Sequence, residues 1–201
     1  MIYFTSDTHY GHKNIVSGVT SWDNKYSCRK FKTLEEHNEK IVSCINDTVG
    51  QEDTLYHLGD WSFGGVENIF KLRERIICNN VHLILGNHDE NIFKNRENCQ
   101  SIFQSVDSYL EIEIDKTMII LSHWPMKIWN KCHKGSWNLH GHCHNSLKPD
   151  EYWTGSIRRK TMDIGVDTND FNPYSYEALK RIMEKSNDYP LGLDQHFKKE
   201  D

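Results

Sequence analysis

Two hydrophobic rhythms run along this chain, and the places where they change mark its elements. Ile2-Tyr3-Phe4-Thr5 reads as a buried first strand, and Thr54–Leu58 and Val81–Leu85 read as further strands, each a short apolar run. Between them the spacing is helical. Thr33-Leu34-Glu35-Glu36 has the form of a capping box that opens a helix to about Val49, with Leu34, Ile41 and Ile45 on one face. Val66, Ile69, Phe70, Ile76 and Ile77 recur near helical spacing over Val66–Cys78. From Val106 the period shortens: Ile112 and Ile114 alternate with charges, Asp115-Lys116 makes a turn, and Thr117–Leu121 returns, which predicts a hairpin. Trp137–His140 and Thr161–Val166 read as strands, and Ser175–Lys185 as a closing helix. Helix–strand alternation followed by hairpin-rich sequence predicts an α/β (α+β) fold of two packed sheets with helices outside. No repeat or linker interrupts it, so residues 1–187 are expected to form one domain and 188–201 a polar tail.

Composition narrows the picture. A chain of 201 residues can bury a substantial core without disulfide staples. The six cysteines form no C-x-x-C pair, the N-terminus has no apolar leader, and no run approaches the ~20 residues that cross a bilayer. These features predict a reduced, cytoplasmic compartment, with no membrane partner. The net charge of −5 speaks against stable binding to nucleic acid, which wants a basic surface. It leaves a nucleotide substrate open, because bound metal ions reverse the local sign.

Chemistry concentrates in five strings: Asp7-Thr8-His9, Gly59-Asp60, Gly86-Asn87-His88-Asp89, Ser122-His123 and Gly141-His142-Cys143-His144. Oxygen donors alone would suit magnesium or calcium, and thiolates structural zinc. A mixed Asp/Asn/His set instead suits manganese, iron, nickel, cobalt or catalytic zinc. Each string follows, or could follow, a strand-like run, and active sites of α/β sheets collect at such strand ends.

The ordered pattern D-x-H … G-D … G-N-H-D … H … G-H-x-H resembles that of the calcineurin-like metallophosphoesterase family. His9–Ile15, Ser122–Met126 and Met162–Asp167 give a finer similarity to its small, uncapped phage and bacterial members. The resemblance implies a four-layer αββα sandwich of two mixed sheets. It also implies two divalent ions, manganese first among the candidates. Asp7, His9, Asp60 and His144 would hold one ion; Asn87, His123 and His142 would complete the second, with Asp60 bridging. A carboxylate can place one oxygen on each of two cations, which imidazole and amide do not readily do. A water shared by two ions ~3.5–4 Å apart becomes the expected nucleophile. By the same resemblance His88 faces the substrate as a transition-state stabiliser or acid, with Asp89 orienting its ring; capping of the following segment accounts for Asp89 equally well. With a bridging hydroxide the site carries a net charge of about +1, which a diester monoanion neutralises. The implied activity is hydrolysis of small phosphodiesters, or of phosphomonoesters. A nuclease and a nonenzymatic metal-binding scaffold are the alternatives, and oligomeric state is not indicated.

Other residues invite plainer readings. His37, His57 and His82 read as structural or exposed, Cys143 as a small apolar residue turned from the ions, and Asp163 and Asp167 as support for the second sheet. His12 reads equally as a contact beside the site or a helix cap. Trp124, Trp129 and Trp137 interleave with Lys127, Lys131 and Lys134. They could build a base-stacking wall, but packing under the loop is the expectation.

Overall fold

The computed structural model describes residues 1–20, 29–147 and 160–185, so the expected tail and Cys28 lie outside the described residues. Its strands are β1 (Ile2–Thr5), β2 (Thr54–His57), β3 (Asn80–Ile84), β4 (Ser105–Asp107), β5 (Leu110–Ile114), β6 (Thr117–Leu121), β7 (Trp137–His140), β8 (Thr161–Asp163) and β9 (Tyr174–Ser175). Its helices are α1 (Leu34–Thr48), α2 (Val66–Arg75), α3 (Glu90–Lys94), α4 (Arg96–Cys99) and α5 (Tyr176–Glu184). One sheet has the order β4-β3-β2-β1-β9 and the other β5-β6-β7-β8. β1 to β4 are mutually parallel and β9 runs against them, while β6, β7 and β8 are parallel and β5 is antiparallel. Both sheets are thus mixed and flanked by helices, as the sequence predicts.

Period-two alternation explains the layers. Tyr3, Leu55, Val81 and Leu83 face one side of the first sheet, where Ile41 and Ile45 of α1, Val49 just after it, and Ile69 and Leu72 of α2 cover them. Phe4, Leu58 and Ile84 face the other side and meet Ile119, Leu121 and Leu139 of the second sheet. Tyr176, Leu179 and Met183 of α5 join that inter-sheet cluster. Strands buried on both faces read as continuous apolar runs, which is why β1 and β3 are legible.

Local signals place the ends. Thr33 caps α1 by accepting from the Glu36 amide at 3.1 Å, while the Glu36 carboxylate reaches back to the Lys32 amide at 2.9 Å. The β5–β6 turn puts Asp115 and Lys116 at φ 50° and 65°, the left-handed pair a two-residue hairpin needs. α2 stops at Arg75, short of the Cys78 its apolar spacing suggests: Ile76 is already extended, at φ −83° and ψ 119°. The Arg73 guanidinium holds that exit, donating to the carbonyls of Ile76, Asn79 and Ile102. β8 stops at Asp163, shorter than expected, because the chain turns into a 3-10 helix at Val166–Thr168. Among the described residues no helix is long and apolar enough to cross a membrane.

Candidate metal centre

The parallel strands bring the five strings to one edge. The loops after β1 and β2 continue to pair beyond the strands, with the Asp7 amide bonded to Gly59 O and the His9 amide to Asp60 O, both at 2.9 Å. The loops after β6 and β7 do the same through the Gly141 amide and His123 O, at 3.0 Å. The Val166 amide donates to Ser6 O at 3.1 Å, joining the second sheet's edge to the first. Asp7, His9, Asp60, His142 and His144 all have positive φ, between 48° and 71°. Left-handed backbone costs a non-glycine residue about 1–3 kcal/mol, and such strain clusters at functional sites. Gly59, at φ 96°, also sits where a Cβ would lie 2.6 Å from the Gly86 amide and from His123 Nδ1, so the loops close only around glycine.

Two donor sets meet at Asp60. Its Oδ2 lies 3.3 Å from His9 Nε2 on one side and 3.6 Å from His123 Nε2 on the other. Beyond His9, His144 Nε2 stands 4.0 Å from Asp7 Oδ1. Beyond His123, Asn87 Oδ1 lies 3.0 Å from His123 Nε2 and 2.9 Å from His142 Nδ1. All seven residues implied by the family pattern therefore converge around Asp60. Donor atoms about 3–4 Å apart are what ligands near 2.1 Å from a shared ion produce.

Lone-pair bookkeeping shows that the residues fit cations. His123 Nδ1 lies 2.8 Å from Leu58 O, which only accepts, so Nδ1 carries the proton. Burial holds the ring below its ordinary pKa, so Nε2 is unprotonated and points a lone pair at the Asn87 oxygen. Acceptor facing acceptor is unfavourable until a cation lies between them. His9 behaves alike: burial pushes its pKa down to about 3, and its buried Nε2 makes no hydrogen bond. Burial would also raise Asp60, but His9, His123 and the His88 amide more than offset it and keep the carboxylate ionised.

The support behind the donors corrects one sequence reading. Asp167, expected only to brace the second sheet, accepts from His144 Nδ1 at 2.7 Å, which turns Nε2 toward the centre. Arg29, which sequence reasoning did not single out, is 1% exposed and organises this corner. It donates to Asp167 at 3.0 and 2.9 Å, to Thr8 O at 2.9 Å, to Asp7 O, and to His37 Nε2 at 2.9 Å. Asp163 accepts from the amides of Gly165 and Asn145, shaping the loops that carry His144. His57 and His82 are structural as expected, meeting Thr8 Oγ1 and Ser105 Oγ.

The substrate-facing residues divide. His88 is exposed, with its ring 5.2 Å from that of His9, 5.3 Å from Phe63 and 5.7 Å from His12. Asp89 does not orient that ring. Its two oxygens accept from the amides of Asp60, Trp61 and Gly86 at 2.8, 3.0 and 2.8 Å, so it clamps the loop that presents Asp60. His12 resolves toward the site: its side chain makes no helix-capping bond, and its Nδ1 lies 3.2 Å from His9 Nδ1. Cys143 is half-buried, and burial pushes its thiol up to about 12. A cavity of about 220 Å³ opens between Phe63–Gly65 and His88–Ile92. Another, of about 560 Å³, lies beside His144 and is lined by Phe31, Phe171, Lys30 and Lys40.

Asp7 sets a pH dependence. Burial pushes its carboxyl up to about 7, with Asp60 and Asp163 raising it further and His144 lowering it. The unfolded carboxyl titrates near 4, so between about pH 4 and 7 the folded chain holds a proton that the unfolded chain has lost. Asp7's own contribution to the stability of the EDTA-stripped protein should therefore fall across that window, while His9, lowered to about 3, contributes in the opposite sense. Saturating manganese should raise the melting temperature more near pH 8 than near pH 5, since it competes with that proton. In the metal-free protein Asp7→Asn should therefore gain melting temperature relative to the native chain as pH rises through the window, and a difference that stays constant would contradict this assignment.

Comparison with known proteins agrees with the geometry. The model of the calcineurin-like phosphoesterase family matches residues 1–196. An uncharacterized protein of Methanocaldococcus jannaschii is 28% identical over 186 residues, covering 92% of each chain. The gene 66 protein of Mycobacterium phage L5 is 26% identical over 190 residues, covering 82% of this chain and 86% of the phage protein. The crystal structure of a protein of unknown function from Aquifex aeolicus superposes with a TM-score of 0.66 at 25% identity, covering 90% of this chain and 98% of that one. With a full set of Asp, Asn and His donors gathered at one strand edge, the chain belongs to the calcineurin-like phosphoesterase family, a family of metal-dependent hydrolases of phosphate esters.

Proposed function

We propose that this protein is a dinuclear metal-dependent phosphoesterase that hydrolyses phosphodiesters of small molecules. The observation that carries the dinuclear reading is the position of Asp60 Oδ2, 3.3 Å from one donor set and 3.6 Å from the other. When bound, two divalent cations supply an activated water and charge stabilisation at the phosphoryl oxygens. The chain's own residues do the rest. Asp7, Asp60 and the buried imidazoles fix the ion positions. Asp89 holds the Asp60 loop through the amides of Asp60 and Trp61 and ties it to its own loop through the Gly86 amide. His88, exposed at the rim, supplies a proton to the departing oxygen.

The preference for diesters rests on charge. A monoester dianion leaves a surplus negative charge that an arginine would ordinarily meet. Arg29, the arginine beside the centre, is buried and spends its guanidinium on Asp167, His37 and two backbone carbonyls. EDTA-stripped protein resupplied with manganese should therefore hydrolyse bis(p-nitrophenyl) phosphate faster than p-nitrophenyl phosphate. No turnover of either ester with manganese, iron, nickel, cobalt or zinc would sink the reading, and a faster monoester would sink the preference.

A further inference from the structure

Resting on that phosphoesterase reading, we propose that Trp124 is a stacking subsite, and that the preferred phosphodiesters carry a flat aromatic group of nucleobase type on one arm. Three tryptophans lie between the end of β6 and the start of β7, and the structure treats them differently. Trp129 and Trp137 are 6% and 3% exposed, while Trp124 is 50% exposed. Trp129 donates its indole N–H to Ser136, and Trp137 stacks on Tyr176 with ring centroids 5.8 Å apart. Those two are packing residues, as the sequence suggests. Trp124 is not. Its ring lies 4.1 Å from that of His142 and stands edge-on to His123 at 5.3 Å, both of them donors on the same side of Asp60.

A half-exposed indole gives up much of the burial that would justify it as a core residue, so stability does not account for its place. Its backbone is nevertheless fixed from the sheet. Ser122 Oγ donates to Trp124 O at 2.8 Å and accepts from Asn138 Nδ2 at 3.1 Å, while Asn138 Oδ1 accepts from the Met126 amide at 3.3 Å. Asn138 belongs to β7, so the platform is tied to the strand that delivers His142. One side of the ring meets the imidazoles of His142 and His123, and the rest is exposed to solvent beside those two donors. Exposed aromatic faces recognise other flat rings by stacking, with little demand on their hydrogen-bonding edges.

The test uses two diesters with one leaving group: the p-nitrophenyl ester of thymidine monophosphate and methyl p-nitrophenyl phosphate. In manganese-loaded full-length protein, Trp124→Ala should lower the ratio of kcat/KM for the thymidine ester over the methyl ester by roughly 5–150-fold, and Trp124→Phe should restore most of it. If the indole only buttresses His142, both esters lose equally and metal affinity falls, which overturns the subsite. Binding gives a second readout, independent of turnover. Thymidine monophosphate should quench tryptophan fluorescence in the native chain more than inorganic phosphate does, and the difference should vanish in Trp124→Ala. If neither ester is hydrolysed, the phosphoesterase reading falls while quenching still decides the subsite. Equal quenching by both ligands rejects it.

Discussion

Asp60→Asn should strip the protein of both metal ions together and slow turnover on the order of 10³-fold or more. The size of the effect follows from where its oxygens lie. Oδ2 stands between the two donor sets, 3.3 Å from His9 Nε2 and 3.6 Å from His123 Nε2, while Oδ1 accepts from the His88 amide at 2.8 Å. An amide keeps the shape but loses the charge and offers a single oxygen. Whichever way it turns, either the bridge or the His88 contact meets an NH₂ group. His144→Ala supplies the contrast, because His144 serves one donor set and should cost one ion before the other. Metal content per chain after desalting, read beside melting temperature, separates the two variants. If Asp60→Asn still holds its full complement of ions, with turnover intact, the bridge is wrong.

Much of this centre was legible because each of these donors follows a short strand rich in buried apolar residues. Asp7, Asp60, Asn87, His123 and His142 stand within a few residues of the ends of β1, β2, β3, β6 and β7. Parallel strands necessarily present those ends at a common edge. What stayed hidden depends on partners far apart in the chain. Arg29 and Asp167 are separated by 138 residues, and no local spacing announces that one will reach the other. Asp89 sits beside His88 in sequence, which suggests a ring partner. In the fold its carboxylate turns inward, accepting from the amides of Asp60 and Trp61 in the Asp60 loop and of Gly86 in its own. The end of α2 was overrun for a related reason. Ile76 continues the helical apolar period but is buried in extended conformation, and periodicity does not distinguish the two. Left-handed backbone at the ligands was equally unreadable, since Asp and His carry no mark of it in sequence.

His88→Ala should keep metal stoichiometry and lower turnover by roughly 10²–10⁴-fold, the usual worth of a positioned acid–base group. The substitution is clean, because the bond that ties this residue to the centre is its backbone N–H to Asp60 Oδ1, which alanine preserves. The side chain is another matter. Its donor atoms lie within 4.8 Å of those of His9 and Asp60, close enough for His88 to be a ligand rather than an acid. Leaving groups discriminate between the roles. An acid is needed where the departing oxygen is basic, so an alkyl ester should suffer far more than a p-nitrophenyl ester, whose phenolate departs unaided. A ligand would affect both esters alike, and its loss would show as metal release, with turnover recovering on resupply. Phe63 stacks on His12 at 4.1 Å and meets the His88 ring edge-on at 5.3 Å. A loss that grows with leaving-group basicity while the metal content stays constant is the result the acid role requires.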